Sequence, residues 1–123
     1  MIFVIGGAYC GKSGYVRNNL TSGAIADYNA PYDTLKHAAA VRDFHLYIRR
    51  ALTDGKDALE ETKRLIRDNP DIIIISNEDG CGVVPVDAFE REWREQVGRV
   101  SCYLAQKAEK VIRVVCGIGT VIK

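Results

Sequence analysis

The sequence predicts an α/β fold, three layers deep, with a mostly parallel central sheet. Three observations carry that expectation. Apolar runs alternate with amphipathic stretches, the pattern of parallel strands joined through crossover helices. Ile72-Ile73-Ile74-Ile75 sets four β-branched residues in a row, as in a strand buried on both faces. Met1-Ile2-Phe3-Val4-Ile5 runs directly into Gly6-Gly7-Ala8-Tyr9-Cys10-Gly11-Lys12-Ser13, which fits G-x-x-x-x-G-K-[ST] in its proper strand–turn–helix context.

That last segment predicts a phosphate site and hence a P-loop NTPase-like domain. Glycines let backbone N–H groups turn inward around an anion, because no Cβ obstructs positive φ. The helix that follows points its positive end at the same anion. Lys12 can reach the outer phosphates of GTP or ATP, and the Ser13 hydroxyl can enter a Mg²⁺ shell. Gly6, Gly7, Ala8, Tyr9, Cys10, Gly11, Lys12 and Ser13 are therefore the expected nucleotide-binding residues.

At 123 residues the chain is expected to be one domain over 1–123, without repeats, low-complexity tracts or a linker. Seventeen basic residues against sixteen acidic ones give a net charge of +1, so no electrostatic case exists for nucleic acid or an anionic membrane as partner. The N-terminal apolar run is too short for a signal peptide and lacks a basic start, and nothing later reaches the length of a membrane span. The expected location is the cytoplasm. The cysteines Cys10, Cys81, Cys102 and Cys116 show no C-x-x-C spacing, so reduced thiols are expected. A metal or redox role at Cys10 or Cys81, both in Gly-rich turns, is the weaker alternative to a buried thiol.

Along the chain, a first helix should run from about Ser13 to Leu20 and end near Gly23. Ala24 to Tyr28 reads as a short strand, broken by Asn29-Ala30-Pro31-Tyr32-Asp33. Asp27 to about Val41 carries no clear periodicity and reads as a substrate loop or a long connection. From about Val41 to Leu52, the residues Val41, Phe44, Tyr47, Ile48, Ala51 and Leu52 share one helical face. Asp54-Gly55 ends that helix. Another begins near Asp57, turns Leu59, Thr62, Leu65 and Ile66 inward, and stops before Pro70.

After the isoleucine strand comes the loop Ser76–Pro85, then a long amphipathic helix from about Val86 to Glu109. Phe89, Trp93, Val97, Val100 and Leu104 recur there at threes and fours, with Glu90/Arg94 and Glu95/Arg99 as outer i,i+4 pairs. Val111 to Cys116 is another strand, and Gly117-Ile118-Gly119 turns into a last one, Thr120 to Ile122. A ligand should lie at the carboxyl ends of the strands, where both Gly-rich loops fall.

Ser76-Asn77-Glu78-x-Gly80-x-Gly82-Val83-Val84-Pro85 resembles the [ST]-N-E-V-G-x-G-[IV]-V-P signature of the bifunctional adenosylcobinamide kinase/adenosylcobinamide-phosphate guanylyltransferases. Arg94, Gly98-Arg99-Val100 and the tail Val114–Lys123 continue the likeness, and Gly6-Gly7-Ala8-x-x-Gly11-Lys12-Ser13 is similar to the family's G-G-A-R-S-G-K-S. About half the chain is covered. The resemblance implies a P-loop α/β fold, a trimer, and work in cobalamin assembly. Family enzymes phosphorylate the aminopropanol hydroxyl of the corrinoid adenosylcobinamide, then transfer GMP from GTP through a guanylylated histidine.

The departures are equally informative. Family members are longer, and their middle segment carries the nucleotide-accepting histidine in an H-x-x-x-R-type helix. Here His45-Leu46-Tyr47-Ile48-Arg49-Arg50-Ala51-Leu52 looks most like a later T-L-W-L-T-N-L-L-like helix, with His45 at its Thr position. His37 is the other candidate acceptor, although its neighbours do not match the family helix. Tyr9 replaces an Arg of the family loop, and Asp79 stands where the family has an apolar residue.

The resemblance and the loop position together make Glu78 a candidate base for the acceptor hydroxyl and Asn77 a nucleotide contact. His45 is retained as a candidate catalytic acceptor, against the plainer role of a packing histidine. A Walker-B-type acid should end a strand near the phosphate loop, and Asp43 and Asp27 are both candidates for it. Asp43, with Ser13, is the metal pair chosen for Mg²⁺. Arg49 and Arg50 are candidate phosphate contacts, or simply a solvated helix face.

Overall fold

A computed structural model describes residues 1–78 and 87–123. Asp79, Cys81 and the Gly80–Pro85 part of the signature lie outside the described residues. In chain order the elements are β1 (Ile2–Gly6), α1 (Lys12–Asn19), β2 (Ile25–Ala26), α2 (Tyr32–Leu35), β3 (Ala40–Val41) and α3 (Phe44–Thr53). Then follow α4 (Ala58–Asp68), β4 (Ile73–Asn77), α5 (Ala88–Lys107), β5 (Lys110–Val115) and β6 (Ile118–Val121).

The strands form one sheet in the order β2-β3-β4-β1-β5-β6, parallel except for the β5–β6 pair. The apolar β1 thus occupies an inner position, between the isoleucine strand β4 and β5. Alternation along each strand sends side chains to two different cores. Phe3, Ile74 and Val111 face a core closed by Phe44, Ile48, Leu65, Val97, Val100 and Leu104 from α3, α4 and α5. Val4, Ile73, Ile75, Ile112 and Val114 face the other, closed by Val16 of α1. Both faces of the sheet are covered, which is why β4 tolerates an unbroken isoleucine run. The expected three-layer α/β architecture is the one found.

Local chemistry explains the helix ends. Asp57 caps α4, its Oδ1 accepting the N–H groups of Leu59 at 3.0 Å and Glu60 at 3.2 Å. Asp87 does the same for α5, at 2.8 Å from Phe89 and 3.1 Å from Glu90, so that helix starts at Ala88 rather than near Val86. Of the two expected outer pairs, Glu95 meets Arg99 at 2.7 Å, whereas Glu90 reaches across to Arg49 of α3 at 2.7 Å.

Three boundaries differ from expectation. Ala40 and Val41 form a strand beside Ile73 and Ile74, and α3 starts only at Phe44. Val41 is in helical phase with Phe44, so its periodicity imitates one more turn of helix. Tyr32–Leu35 forms one helical turn after Pro31, inside the stretch expected to be irregular. The last strand begins at Ile118, because Cys116 (φ 51°) and Gly117 (φ 76°) make the two-residue turn. Positive φ at both positions matches the twist of a tight hairpin. Gly119 then sits inside β6, where a Cβ would fall 2.3 Å from the ring of Tyr15 in α1.

Candidate functional site

Gly6 opposes Asn77 in the β1–β4 register, so the two Gly-rich loops leave the same carboxyl edge of the sheet. Gly6 itself has no room for a side chain. A Cβ there would lie 2.5 Å from the Val114 carbonyl oxygen and 2.6 Å from Cys10 Sγ. Gly11 closes the loop at φ 85°, a conformation that strongly favours glycine, and hands the chain to α1 at Lys12. The start of α1 has no side-chain cap and no acidic residue in its first turn. Its first N–H groups and its positive end are thus left to the loop.

Lys12 is 9% exposed, and its ammonium donates to the Gly7 carbonyl at 2.7 Å, with Cys10 Sγ at 3.9 Å. The buried charge is satisfied by its own loop. The Gly6 carbonyl accepts the N–H of Glu78 at 2.8 Å, which ties the end of β4 to the start of the loop.

A cavity of about 460 Å³ opens above this edge. Ala8 through Gly14 line one side, and Asp43, His45, Ile75 and Asn77 line the other. The fold therefore brings Lys12, Ser13, Asp43, His45 and Asn77 around one space. Asp43 reaches it by an unusual route. It follows β3 and precedes α3 in a left-handed conformation, φ 56°, without capping the helix through its side chain. A Ser hydroxyl and a carboxylate are hard oxygen donors facing one cavity, a set that fits Mg²⁺ held largely by phosphates and water.

His45 is buried at the start of α3. Its Nδ1 accepts the backbone N–H of Asn77 at 3.3 Å, and its carbonyl accepts Trp93 Nε1–H of α5 at 2.8 Å. Asn77 thus meets the cavity wall partly through its main chain.

Other candidates lie elsewhere. Glu78 is absent from the cavity lining, and its half-exposed carboxylate accepts Arg113 Nε of β5 at 3.0 Å. Asp27 pairs with Arg42 at 3.0 Å, with Oδ1 buried and without a hydrogen bond. Asp43, unlike Asp27, lines the cavity that Ser13 also lines. His37 is exposed after α2 and does not line the cavity. Arg49 is held by Glu90 and lies 4.7 Å from the Trp93 ring centroid and 5.0 Å from that of Phe89. Arg50 lines a separate small depression beside Tyr32, Tyr47 and Arg64. Neither arginine contributes to the cavity lining.

Among the described residues, three non-glycines adopt positive φ: Tyr9 (58°), Asp43 (56°) and Cys116 (51°). Two line the cavity, and the third belongs to the hairpin turn beside the loop. Such conformations persist only where surrounding structure enforces them, and they gather at functional sites. Tyr9 combines this with a fully exposed ring. Arg113 was not singled out in the sequence. A single charge inside Val111-Ile112-Arg113-Val114-Val115 was the available signal. No helix among the described residues is long and apolar enough to cross a membrane.

The model of a family described as cobinamide kinase / cobinamide phosphate guanyltransferase matches residues 34–122. Two curated relatives are similar, each a bifunctional adenosylcobalamin biosynthesis protein CobU, from Salmonella typhimurium and from Escherichia coli K12. Both are 42% identical over 52 residues, a stretch covering 42% of this chain and 29% of each relative. The match thus spans less than a third of the length of those relatives. With most of its length matched by the family model, the chain belongs to the cobinamide kinase / cobinamide phosphate guanyltransferase family.

Proposed function

We propose that the chain binds the triphosphate of GTP or ATP, with Mg²⁺, at Gly6–Ser13 and phosphorylates a corrinoid hydroxyl as a cobinamide kinase. The observation that carries this reading is the convergence of Lys12, Ser13 and Asp43 on one cavity at the carboxyl edge of β1 and β4. Bound Mg²⁺ would supply charge neutralisation between the outer phosphates.

The Lys12 ammonium exchanges the Gly7 carbonyl for non-bridging phosphate oxygens, so its charge is already delivered to the point of use. Ser13 Oγ and the Asp43 carboxylate are the groups to hold the metal. In the transfer, the acceptor hydroxyl oxygen bonds to the γ-phosphorus as the bond to the β,γ-bridging oxygen breaks, and the nucleoside diphosphate leaves. The hydroxyl proton passes to a carboxylate. Glu78 is the candidate for that role, with its Oε2 accepting from Arg113 Nε.

Guanylyl transfer is the less supported half. His45 is the described histidine at the cavity, and its Nδ1 already accepts a hydrogen bond from Asn77. Homotrimer assembly is part of the proposal, supported by exposed Val115, Ile118, Val121 and Ile122 on the β5–β6 hairpin and the residue after it. Sedimentation velocity tests it.

The deciding experiment is transfer of the labelled γ-phosphoryl group of GTP or ATP to cobinamide. Lys12→Ala should lower turnover by about 100-fold or more. A second reading, a nucleotide-binding protein without turnover, is favoured by the engagement of Glu78 with Arg113. Binding of GTP or ATP with no consumption in the presence of cobinamide and Mg²⁺ would establish it instead.

A further inference from the structure

The phosphate loop is held from outside through its carbonyl groups. A trans peptide points its C=O and its N–H in opposite directions, so fixing one aims the other. Glu78 N–H, from the end of β4, fixes the Gly6 carbonyl. A second restraint comes from the carboxyl end of β5, the other neighbour of β1. The N–H of Gly117, in the β5–β6 turn, donates to the Cys10 carbonyl at 2.8 Å. The contact is close enough that a Cβ on Gly11 would lie 3.2 Å from Gly117 Cα. A second contact backs it, since Tyr15 of α1 occupies the space left by Gly119.

We infer that the C-terminal hairpin is a working part of the phosphate site and that Gly117 is a positioning residue for it. Holding the Cys10 carbonyl against the hairpin turns the Gly11 N–H the other way, toward a bound phosphate. The pairing of a left-handed Cys116 with Gly117 serves the same end, because in that turn the Gly117 amide meets the Cys10 carbonyl. The inference rests on the reading of Gly6–Ser13 as a phosphate site.

Inorganic pyrophosphate with Mg²⁺ is a suitable probe, followed by calorimetry and by amide resonances of the full chain. The space around Gly117 is open, so a substituent there acts only through backbone conformation. Valine resists φ 76°, whereas asparagine accepts it. Gly117→Val should weaken pyrophosphate binding about tenfold, the worth of one misdirected hydrogen bond. It should also abolish the shift of the Gly11 amide on binding, while Gly117→Asn keeps both affinity and shift.

Equal affinity in Gly117→Val and the wild type would overturn the inference, as would equal losses in the Val and Asn variants. Failure of the wild type to bind pyrophosphate would instead remove the phosphate-site reading itself. Should Gly117→Val not fold, hydrogen exchange of the wild type decides. Pyrophosphate should slow exchange of the Gly117 amide, because coupling between loop and hairpin is reciprocal. An unchanged rate would sink the inference.

Discussion

The backbone N–H of Asn77 donates to Nδ1 of His45 across 3.3 Å, and that bond decides which imidazole nitrogen carries the proton. A nitrogen that accepts a hydrogen bond is unprotonated, so in the neutral ring the proton sits on Nε2. A protonated Nε2 has no lone pair to attack phosphorus, and Nδ1 is already occupied. Incubation with α-labelled GTP should therefore leave no acid-labile, base-stable label on His45. A stoichiometric label there would show that the Asn77 contact is given up in the reaction.

Asp43 should matter for activity and not for stability. Its φ of 56° is better tolerated by Asn than by most residues, and its side chain caps nothing. Asp43→Asn should leave stability within about 0.5 kcal/mol by thermal melt. Turnover should fall on the order of 100-fold and need more Mg²⁺ for half-maximal rate. A loss of stability without a change in metal dependence would remove Asp43 from the metal site.

Arg49 should behave as a structural residue. It joins α3 to α5 through Glu90 at 2.7 Å and through two aromatic faces, one helical turn beyond His45 and outside the cavity lining. The ion pair is partly exposed and therefore modest, and each cation–π contact adds a comparable amount. Arg49→Ala should cost about 1–2 kcal/mol in urea unfolding and leave the affinity for nucleotide unchanged. A large change in affinity with little loss of stability would restore Arg49 as a phosphate contact.

Tyr32 gives a signature at alkaline pH. Burial first, then its hydrogen bond to Asp68 at 2.5 Å and that carboxylate's charge, push the phenol up to about 12, with Arg64 opposing. A pKa raised in the folded state stabilises fully below the unfolded value near 10. That contribution fades as pH climbs through 12. Burial raises Tyr47 as well, so absorbance at tyrosinate wavelengths should show late-ionising phenol of which one part is lost in Tyr32→Phe and moves earlier in Asp68→Asn. Over the same pH interval, the stability of Tyr32→Phe should decline less steeply than that of the wild type.

Much of the architecture was legible because it depends on contiguous chemistry. Four isoleucines need cover on two faces wherever they occur, and Gly6–Ser13 brings strand, turn and helix within one short segment. The misread places depend on partners distant in sequence. Ala40 and Val41 are a strand because β2 and β4 flank them, and Val41 happens to be in phase with the helix after it. The hairpin turn falls at Cys116-Gly117 instead of Gly117-Ile118-Gly119, and Gly119, a usual turn residue, lies in the strand against Tyr15.

The site divides in the same way. Lys12 and Ser13 could be named from the motif alone. Asp43 could be suspected, but its place in the cavity lining depends on both the existence of β3 and a left-handed residue after it. The engagement of Glu78 by Arg113, and of His45 by Asn77, joins separate strands and helices. No local pattern encodes either pairing.

The position of β1 also dictates the order in which the molecule can be assembled. Ile2 pairs on one side with Ile73 and on the other with Lys110, so the earliest strand waits longest for its neighbours. Closing such wide loops is entropically demanding before any contact rewards it. During synthesis the apolar Ile2–Gly6 segment and the loop behind it have no flanking strand until β4 emerges. The second flank arrives only with β5. A fragment ending before residue 73 would retain the full phosphate motif and lack the sheet that shapes it, so possession of the motif and competence to hold an anion are separated by most of the chain.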